Sequence, residues 1–343
     1  MCAEAARRRV DIEAHRTHLA TQIARLTATG STPIALFGAG QFVRALQPRL
    51  LDPDGAIACL VDEDPRKVGR QWAGLPVINV DDALGRGLRG LIITAEAAAQ
   101  DALWERRRTF LEQGVRVLCC PDRFETLPWD ACLVDFYDHL VAQQHGKKIP
   151  YLHSYPEPNV VASPRIVALA GRHAGDVICE IGPGAGLWTA ELIEHADRYH
   201  AVDFSARLLH EVIEHRFHGS LSKLHLHHDT RAQLAEIEDG SVDLVFSFDV
   251  FVHLKPDLVH QFLAAIKRVL RPDGNALLHF REWNEAEIIR WHEHFAPSFI
   301  GEGTMMHYNT MESLAASAAH IGLRVERIEE DLCYGYFARF EHA

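Results

Sequence analysis

Val177–Thr189 reads VICEIGPGAGLWT. An apolar, β-type run ends in the acid Glu180, and Gly182, Gly184 and Gly186 follow at every second position. A helix-forming stretch comes next. Glycines at a strand-to-helix turn let the backbone pass close to a bound cofactor without Cβ clashes. An acid just ahead of them disfavours phosphate at that spot and favours a cationic or hydroxyl-bearing ligand.

Working outward, further strands follow in order. HAVD (His200–Asp203) closes a second strand, with Asp203 about 20 residues past the turn, where a doubly wound sheet puts a carboxylate for ribose hydroxyls. LHLHHD (Leu224–Asp229) alternates as a third. SVDLVFSFDVFVHL (Ser241–Leu254) gives a fourth, with Phe248, Asp249 and His253 at and past its end. VLRPDGNALLHF (Val269–Phe280) gives a helix end, a Pro-Asp-Gly turn and a fifth strand; Leu323–Ile328 and Tyr334–Phe340 read as two terminal strands after a helix over Ser313–His320.

From about Ala162 to His342 these elements resemble the class I S-adenosylmethionine (SAM) dependent methyltransferases. The resemblance implies that Glu180, Gly182, Gly184 and Gly186 cradle the methionine part of SAM, that Asp203 takes the ribose and Asp229 the adenine amino group. Phe248 and Asp249 are implied to line the methyl-transfer site, and the two last strands to form an antiparallel edge pair.

Methyl transfer needs an aligned, dehydrated acceptor in its nucleophilic form. His253, four residues after Asp249, is a candidate general base, since histidine titrates near neutrality; a histidine that caps or packs a helix start is the plainer alternative. Asp249 has three open roles: orienting that histidine, binding acceptor, or contacting the methionine amino group. His279, Arg281, Glu282, Trp283 and Asn284 come at the end of the fifth strand and just past it, at the ligand-binding edge, Arg281 as an anion clamp or a surface ion pair. Met306 and Tyr308 lie in a glycine-punctuated stretch, Phe299–Thr310, read as a cap over the site. Tyr151, His153 and Tyr155 belong to a proline-rich linker that either stays a linker or closes over the cofactor.

The N-terminal part follows a similar plan. Residues 1–28 read as a charged amphipathic helix stopped near Thr29–Gly30. STPIALFGAG (Ser31–Gly40) is a strand into a glycine turn, Gln41–Leu51 a helix, IACLVD (Ile57–Asp62) a second strand, and Pro76–Asp81, Leu91–Thr94 and Val115–Cys119 further strands. Asp101–Gln113 reads as helical. Strands alternating with helices imply a parallel sheet covered on both faces. Gly38, Gly40 and Asp62 resemble a dinucleotide fingerprint, but Val43 stands at the third glycine, where a branched side chain hinders close helix–strand packing. VDEDPRKVGRQWAGLPVI resembles nucleotide-sugar-binding Rossmann domains. A ligand-free structural domain, a nucleotide or sugar-nucleotide site, and an NAD site all stay open.

The expected fold is therefore α/β: two doubly wound Rossmann-like domains, the C-terminal one of class I methyltransferase type with an antiparallel edge strand. The expected boundaries are 1–30 (helix), 31–125 (accessory domain), 126–161 (connecting helix and linker) and 162–343 (SAM-binding domain).

Composition bounds the rest. The formal charge of −12 disfavours nucleic acid as a partner. No apolar run approaches the ~18 residues of a membrane helix. Seven scattered cysteines without C-x-x-C point to reduced thiols and a cytoplasmic setting, and Cys119–Cys120 read as core residues. Among the 22 histidines, His225, His227 and His228 share one strand and His292 and His294 one helix, but no H-E-x-x-H or Cys/His cluster appears, so no metal is expected.

The activity expected is O-methylation of a small polar, sugar- or nucleotide-bearing metabolite with S-adenosylhomocysteine as co-product; N- and C-methylation are the close alternatives. The partner is a small-molecule acceptor, with no nucleic acid and no membrane, and a homodimer left open. Two other readings stand beside it: cyclisation or elimination of SAM itself to methylthioadenosine, and a non-catalytic SAM-binding protein.

Overall fold

The computed structural model describes residues 2–95, 97–121, 123, 164–173, 175–184, 186–280, 309–328 and 336–343. They divide into two compact units, one from residues 1–142 and 210–221, the other from 143–209 and 222–343.

The first unit begins with α1 (Cys2–Ala28). It continues through β1 (Ile34–Phe37), α2 (Gln41–Leu46), α3 (Pro48–Leu51), β2 (Ile57–Val61), β3 (Gln71–Trp72), β4 (Leu75–Ile78), α4 (Val80–Leu84), β5 (Gly90–Thr94), α5 (Ala97–Arg106), α6 (Arg108–Leu111) and β6 (Arg116–Cys120). The sheet order is β3-β4-β2-β1-β5-β6, parallel except for β3 against β4. Because side chains alternate across a strand, Ile34 and Leu36 enter one core with Leu19, Ile23 and Leu26 of α1. Ala35 and Phe37 enter another with Trp104, Phe110 and Leu111. Cys119 and Cys120 divide between the same two cores.

Three local expectations change here. The helix expected over Gln41–Leu51 breaks at Gln47, which adopts φ 50° ahead of Pro48; proline disfavours the right-handed helical region for the residue before it. The helix expected over Asp101–Gln113 is likewise two, interrupted at Arg107. The strand expected over Pro76–Asp81 stops at Ile78, since the Asn79 side chain accepts the Asp82 N–H at 2.7 Å and caps α4 instead.

The second unit comprises α7 (Pro164–His173), β7 (Val177–Ile181), α8 (Leu187–Leu192), β8 (Arg198–Asp203), β9 (Leu224–His228), β10 (Val242–Ser247), α9 (Pro256–Val269), β11 (Leu270–Phe280), α10 (Met311–Ile321), β12 (Leu323–Ile328) and β13 (Tyr336–His342). Its seven strands run β12-β13-β11-β10-β7-β8-β9. Strands β7 to β11 are parallel and β13 is antiparallel to both β11 and β12. This is the class I methyltransferase fold, as the resemblance implied. The Pro-Asp-Gly turn sits inside β11 as an irregularity: Val242 pairs with Leu270, but Leu244 pairs with Asn275. At the β12–β13 edge, Arg324 stands opposite Glu341 and Glu326 opposite Arg339, and each pair is ion-paired.

The order reverses at β7, which has β8 on one side and β10 on the other. In open parallel sheets the crevice beyond the strands' carboxyl ends at this reversal is where ligands bind.

Candidate active site

Every cofactor-side residue expected from the sequence lies at that carboxyl edge. The turn after β7 carries Gly182 at φ 72°, Gly184 at φ 54° and Gly186 at φ 75°, a left-handed run that L side chains resist. A Cβ on Gly182 would stand 2.3 Å from Cγ2 of Val250. The turn therefore packs directly on the bend that follows β10. The Gly182 N–H donates to the Val202 carbonyl, and Ser247 Oγ donates to the Ile181 carbonyl at 2.8 Å, tying the turn to the strands on either side.

Glu180 is 1% exposed. Its Oε2 accepts the Thr189 hydroxyl of α8 and the Tyr199 phenol of β8, the latter at 2.8 Å. Burial, then the adjacent Glu180 charge, push the Tyr199 phenol well above its usual range, so it stays an O–H donor. In this geometry Glu180 holds the helix and the second strand to the turn. Thr189 and Tyr199 had no role in the sequence reading, since nothing in their spacing marks them as its partners.

Asp203, 5% exposed at the end of β8, accepts the Ser205 N–H at 2.8 Å. Asp229 follows β9, and its N–H donates to the Asp203 carbonyl. Its carboxylate accepts three backbone N–H groups, from Arg231, Gln233 and Leu234. A carboxylate offers roughly four lone-pair sites, so one acceptor site is left for an amino group.

Beyond β10, half-buried Phe248 packs between Trp188 of α8 (centroids 4.8 Å) and His279 of β11 (4.5 Å, planes at 18°). Asp249 is left-handed at φ 59°, a conformation that costs free energy for a non-glycine residue and collects at functional sites. Its N–H donates to His279 Nδ1 at 3.3 Å. His253 is exposed, the last residue of a single 3-10 turn over Phe251–His253. The imidazole that accepts the Asp249 N–H is that of His279, which the sequence reading placed at the ligand-binding edge without assigning it a role. Its signal was present: a histidine one residue before the end of a buried central strand, level with the catalytic edge.

Arg281, Trp283, Met306 and Tyr308 lie outside the described residues, as do Tyr151, His153, Tyr155, His292 and His294. In the first unit, Asp62 Oδ2 accepts the Ala39 N–H of its own glycine turn and the Lys67 ammonium, each at 2.8 Å, while Oδ1 accepts the Asp64 N–H. Val43 is fully buried. His225 and His227 do share a face of β9, where both rings lie tilted against His200 of β8, with centroids 5.4 and 5.0 Å away. His200 Nδ1 lies 2.8 Å from His227 Nε2, and His227 Nδ1 lies 3.0 Å from Glu236. Among the described residues, no group of three or more His, Cys, Asp or Glu is arranged to hold a metal ion.

Comparison with known proteins bears on the same segment. A family profile described as "Methyltransferase domain" matches residues 178–274. Residues 178–274 are thus similar to methyltransferase domains. A wheat (Triticum aestivum) phosphoethanolamine N-methyltransferase 1 is 29% identical over 117 residues, 34% of this chain and 23% of the relative. Ribosomal RNA small subunit methyltransferase A of Magnetococcus marinus is 49% identical over 53 residues, 16% of this chain and 18% of the relative. The chain thus spans about a fifth of the length of these two curated relatives. The crystal structure of magnesium protoporphyrin IX methyltransferase from Synechocystis PCC 6803 with bound SAH aligns with a TM-score of 0.47 at 14% identity, covering 63% of this chain and 96% of that one.

Methyltransferase domains of this class take SAM as methyl donor, and the residues present fit it. The left-handed glycine cradle admits no Cβ at Gly182, the Asp203 carboxylate closes the second strand, Asp229 keeps one acceptor site, and Phe248 offers an aromatic face.

Proposed function

We propose that the protein transfers the methyl group of SAM to an oxygen of a small polar acceptor, releasing S-adenosylhomocysteine. One observation carries the reading. The glycine cradle, Asp203, Asp229 and the Phe248–Asp249 bend meet at one edge of a single sheet, at its order reversal, within the segment that matches methyltransferase domains. In this reading Glu180, Gly182, Gly184, Gly186, Asp203 and Asp229 bind the cofactor, and Glu180 also holds their frame. SAM supplies a methyl activated by its sulfonium. Phe248 excludes water from the crevice, and Asp249 orients the acceptor or the cofactor's amino group. His253, on the solvent side of the turn after β10, accepts the acceptor's proton, and Arg281, Trp283, Met306 and Tyr308 contact the acceptor.

A net charge of −12 supports a small-molecule acceptor over nucleic acid and is compatible with a sugar- or nucleotide-bearing one. Nitrogen is the second reading for the acceptor atom, favoured by the wheat N-methyltransferase relative. We place the protein in the cytoplasm, in keeping with its scattered cysteines; no helix among the described residues is long and apolar enough to cross a membrane.

The test is to incubate purified protein with SAM alone and then with candidate acceptors, and to identify the nucleoside product by mass spectrometry. S-adenosylhomocysteine formed only with an acceptor supports methyl transfer. Methylthioadenosine formed without one makes SAM the sole substrate and overturns the reading.

A further inference from the structure

We propose that His279 is the positioning residue of the cofactor crevice, a neutral imidazole that fixes the bend Phe248–Val250 and, through it, the glycine turn. The proposal rests on the methyltransferase reading above. Three consecutive residues of the bend carry the argument. Phe248 stacks on the His279 ring at 4.5 Å with the planes 18° apart. Asp249 sends its N–H to His279 Nδ1 at 3.3 Å. Val250 fills the space beside Gly182 that a Cβ would need. One buried side chain on β11, 1% exposed, thus sets the wall that faces the turn after β7.

The tautomer follows from the donor. A backbone N–H can only donate, so Nδ1 holds a lone pair and a neutral ring carries its proton on Nε2. The left-handed Asp249 is otherwise a costly conformation, and the hydrogen bond satisfies its N–H at the strand's end. Phe337 of β13 backs both rings, 5.5 Å from His279 and 6.0 Å from Phe248, so His279 is itself held in place.

The variants separate the two contacts. His279→Phe keeps an aromatic face but removes the acceptor, leaving the Asp249 N–H without it. His279→Asn restores an acceptor oxygen close to the position of Nδ1. His279→Gln keeps the polarity but carries its acceptor one bond further out. SAM binding is measured by calorimetry, alongside thermal melting and the ring nitrogen resonances of 15N-histidine-labelled parent protein.

The expected result is SAM affinity about tenfold or more weaker in His279→Phe, recovered to within about threefold in His279→Asn, at matched melting temperature. The parent should also show an unprotonated Nδ1 on the histidine whose signals vanish in His279→Asn. If His279→Phe does not fold, His279→Gln against His279→Asn makes the same comparison. Equal SAM affinity in the parent and all variants, or a protonated Nδ1, overturns the positioning role while leaving the methyltransferase reading intact. A parent that binds no SAM overturns both.

Discussion

The Tyr199 phenol and the Glu180 carboxylate form a buried hydrogen bond, 2.8 Å long, between neighbouring strands directly beneath the glycine turn. The Thr189 hydroxyl reaches the same oxygen from α8. Removing one donor leaves a buried carboxylate oxygen under-solvated, which costs about 1–3 kcal/mol. Tyr199→Phe should destabilise the protein by that amount in urea titrations and weaken SAM binding with it. Unchanged stability would mean that Glu180 does not depend on this contact.

Gly182→Ala should be worse. The new methyl collides with Val250 Cγ2, and the backbone at φ 72° adds about 1–2 kcal/mol against any L side chain. Pairing it with Val250→Ala removes the collision and leaves only the conformational cost. The double variant should therefore be more stable than Gly182→Ala alone, as thermal melting will show.

Asp249→Gly should uncouple stability from activity. Glycine adopts φ 59° freely, so the variant should be neutral or more stable by up to about 1 kcal/mol. Product formation from SAM and acceptor, followed by mass spectrometry, should still fall at least tenfold once the carboxylate is gone.

Acid should act through His200. Burial, then the neighbouring His227 and His225, lower its pKa from 6.5 to about 3. The folded value lies below the unfolded one, so as pH falls the unfolded chain takes the proton first. This contribution is complete above pH 6.5 and is lost progressively between 6.5 and about 3, at no more than about 1.4 kcal/mol per pH unit. Urea midpoints at about pH 7.5 and 5 should fall further for the parent than for His200→Leu.

The first unit should not bind NADH. The Asp62 carboxylate that a dinucleotide ribose would use already holds Ala39, Asp64 and Lys67, and Val43 fills the third glycine position. Titration followed by nicotinamide fluorescence should show no saturable binding at micromolar concentrations. Saturation there would mean that Asp62 exchanges these partners for ligand.

The strand edges and glycine turn of the second unit were legible because their physics is local. Alternating apolar runs, glycines at left-handed positions and acids at strand ends all lie within short windows, so Glu180, Gly182 and Asp203 could be found from spacing. The contacts that build the site are not local. Thr189, Tyr199 and His279 reach their partners from other elements, 9 to 30 residues away, and no periodicity announces such pairs. The same holds for the break at Gln47, where one proline overrode a helical pattern, and for Asn79, whose side chain capped a helix inside an expected strand. His225 and His227 were seen to share a face, but the third ring, His200, became their neighbour only through the parallel pairing of β8 and β9.

The paired charges on β12 and β13 have a consequence for how the sheet ends. Glu341 and Arg339 are themselves 3.1 Å apart, so Arg324, Glu341, Arg339 and Glu326 form a continuous ladder of alternating sign. Arg324 and Glu326, on the outermost strand, are 71% and 62% exposed. A foreign strand docking along β12 would have to strip water from both while finding their countercharges already engaged. Edge strands guarded in this way resist templated growth into fibrils, so the seven-stranded sheet carries its own terminator on the side remote from β9.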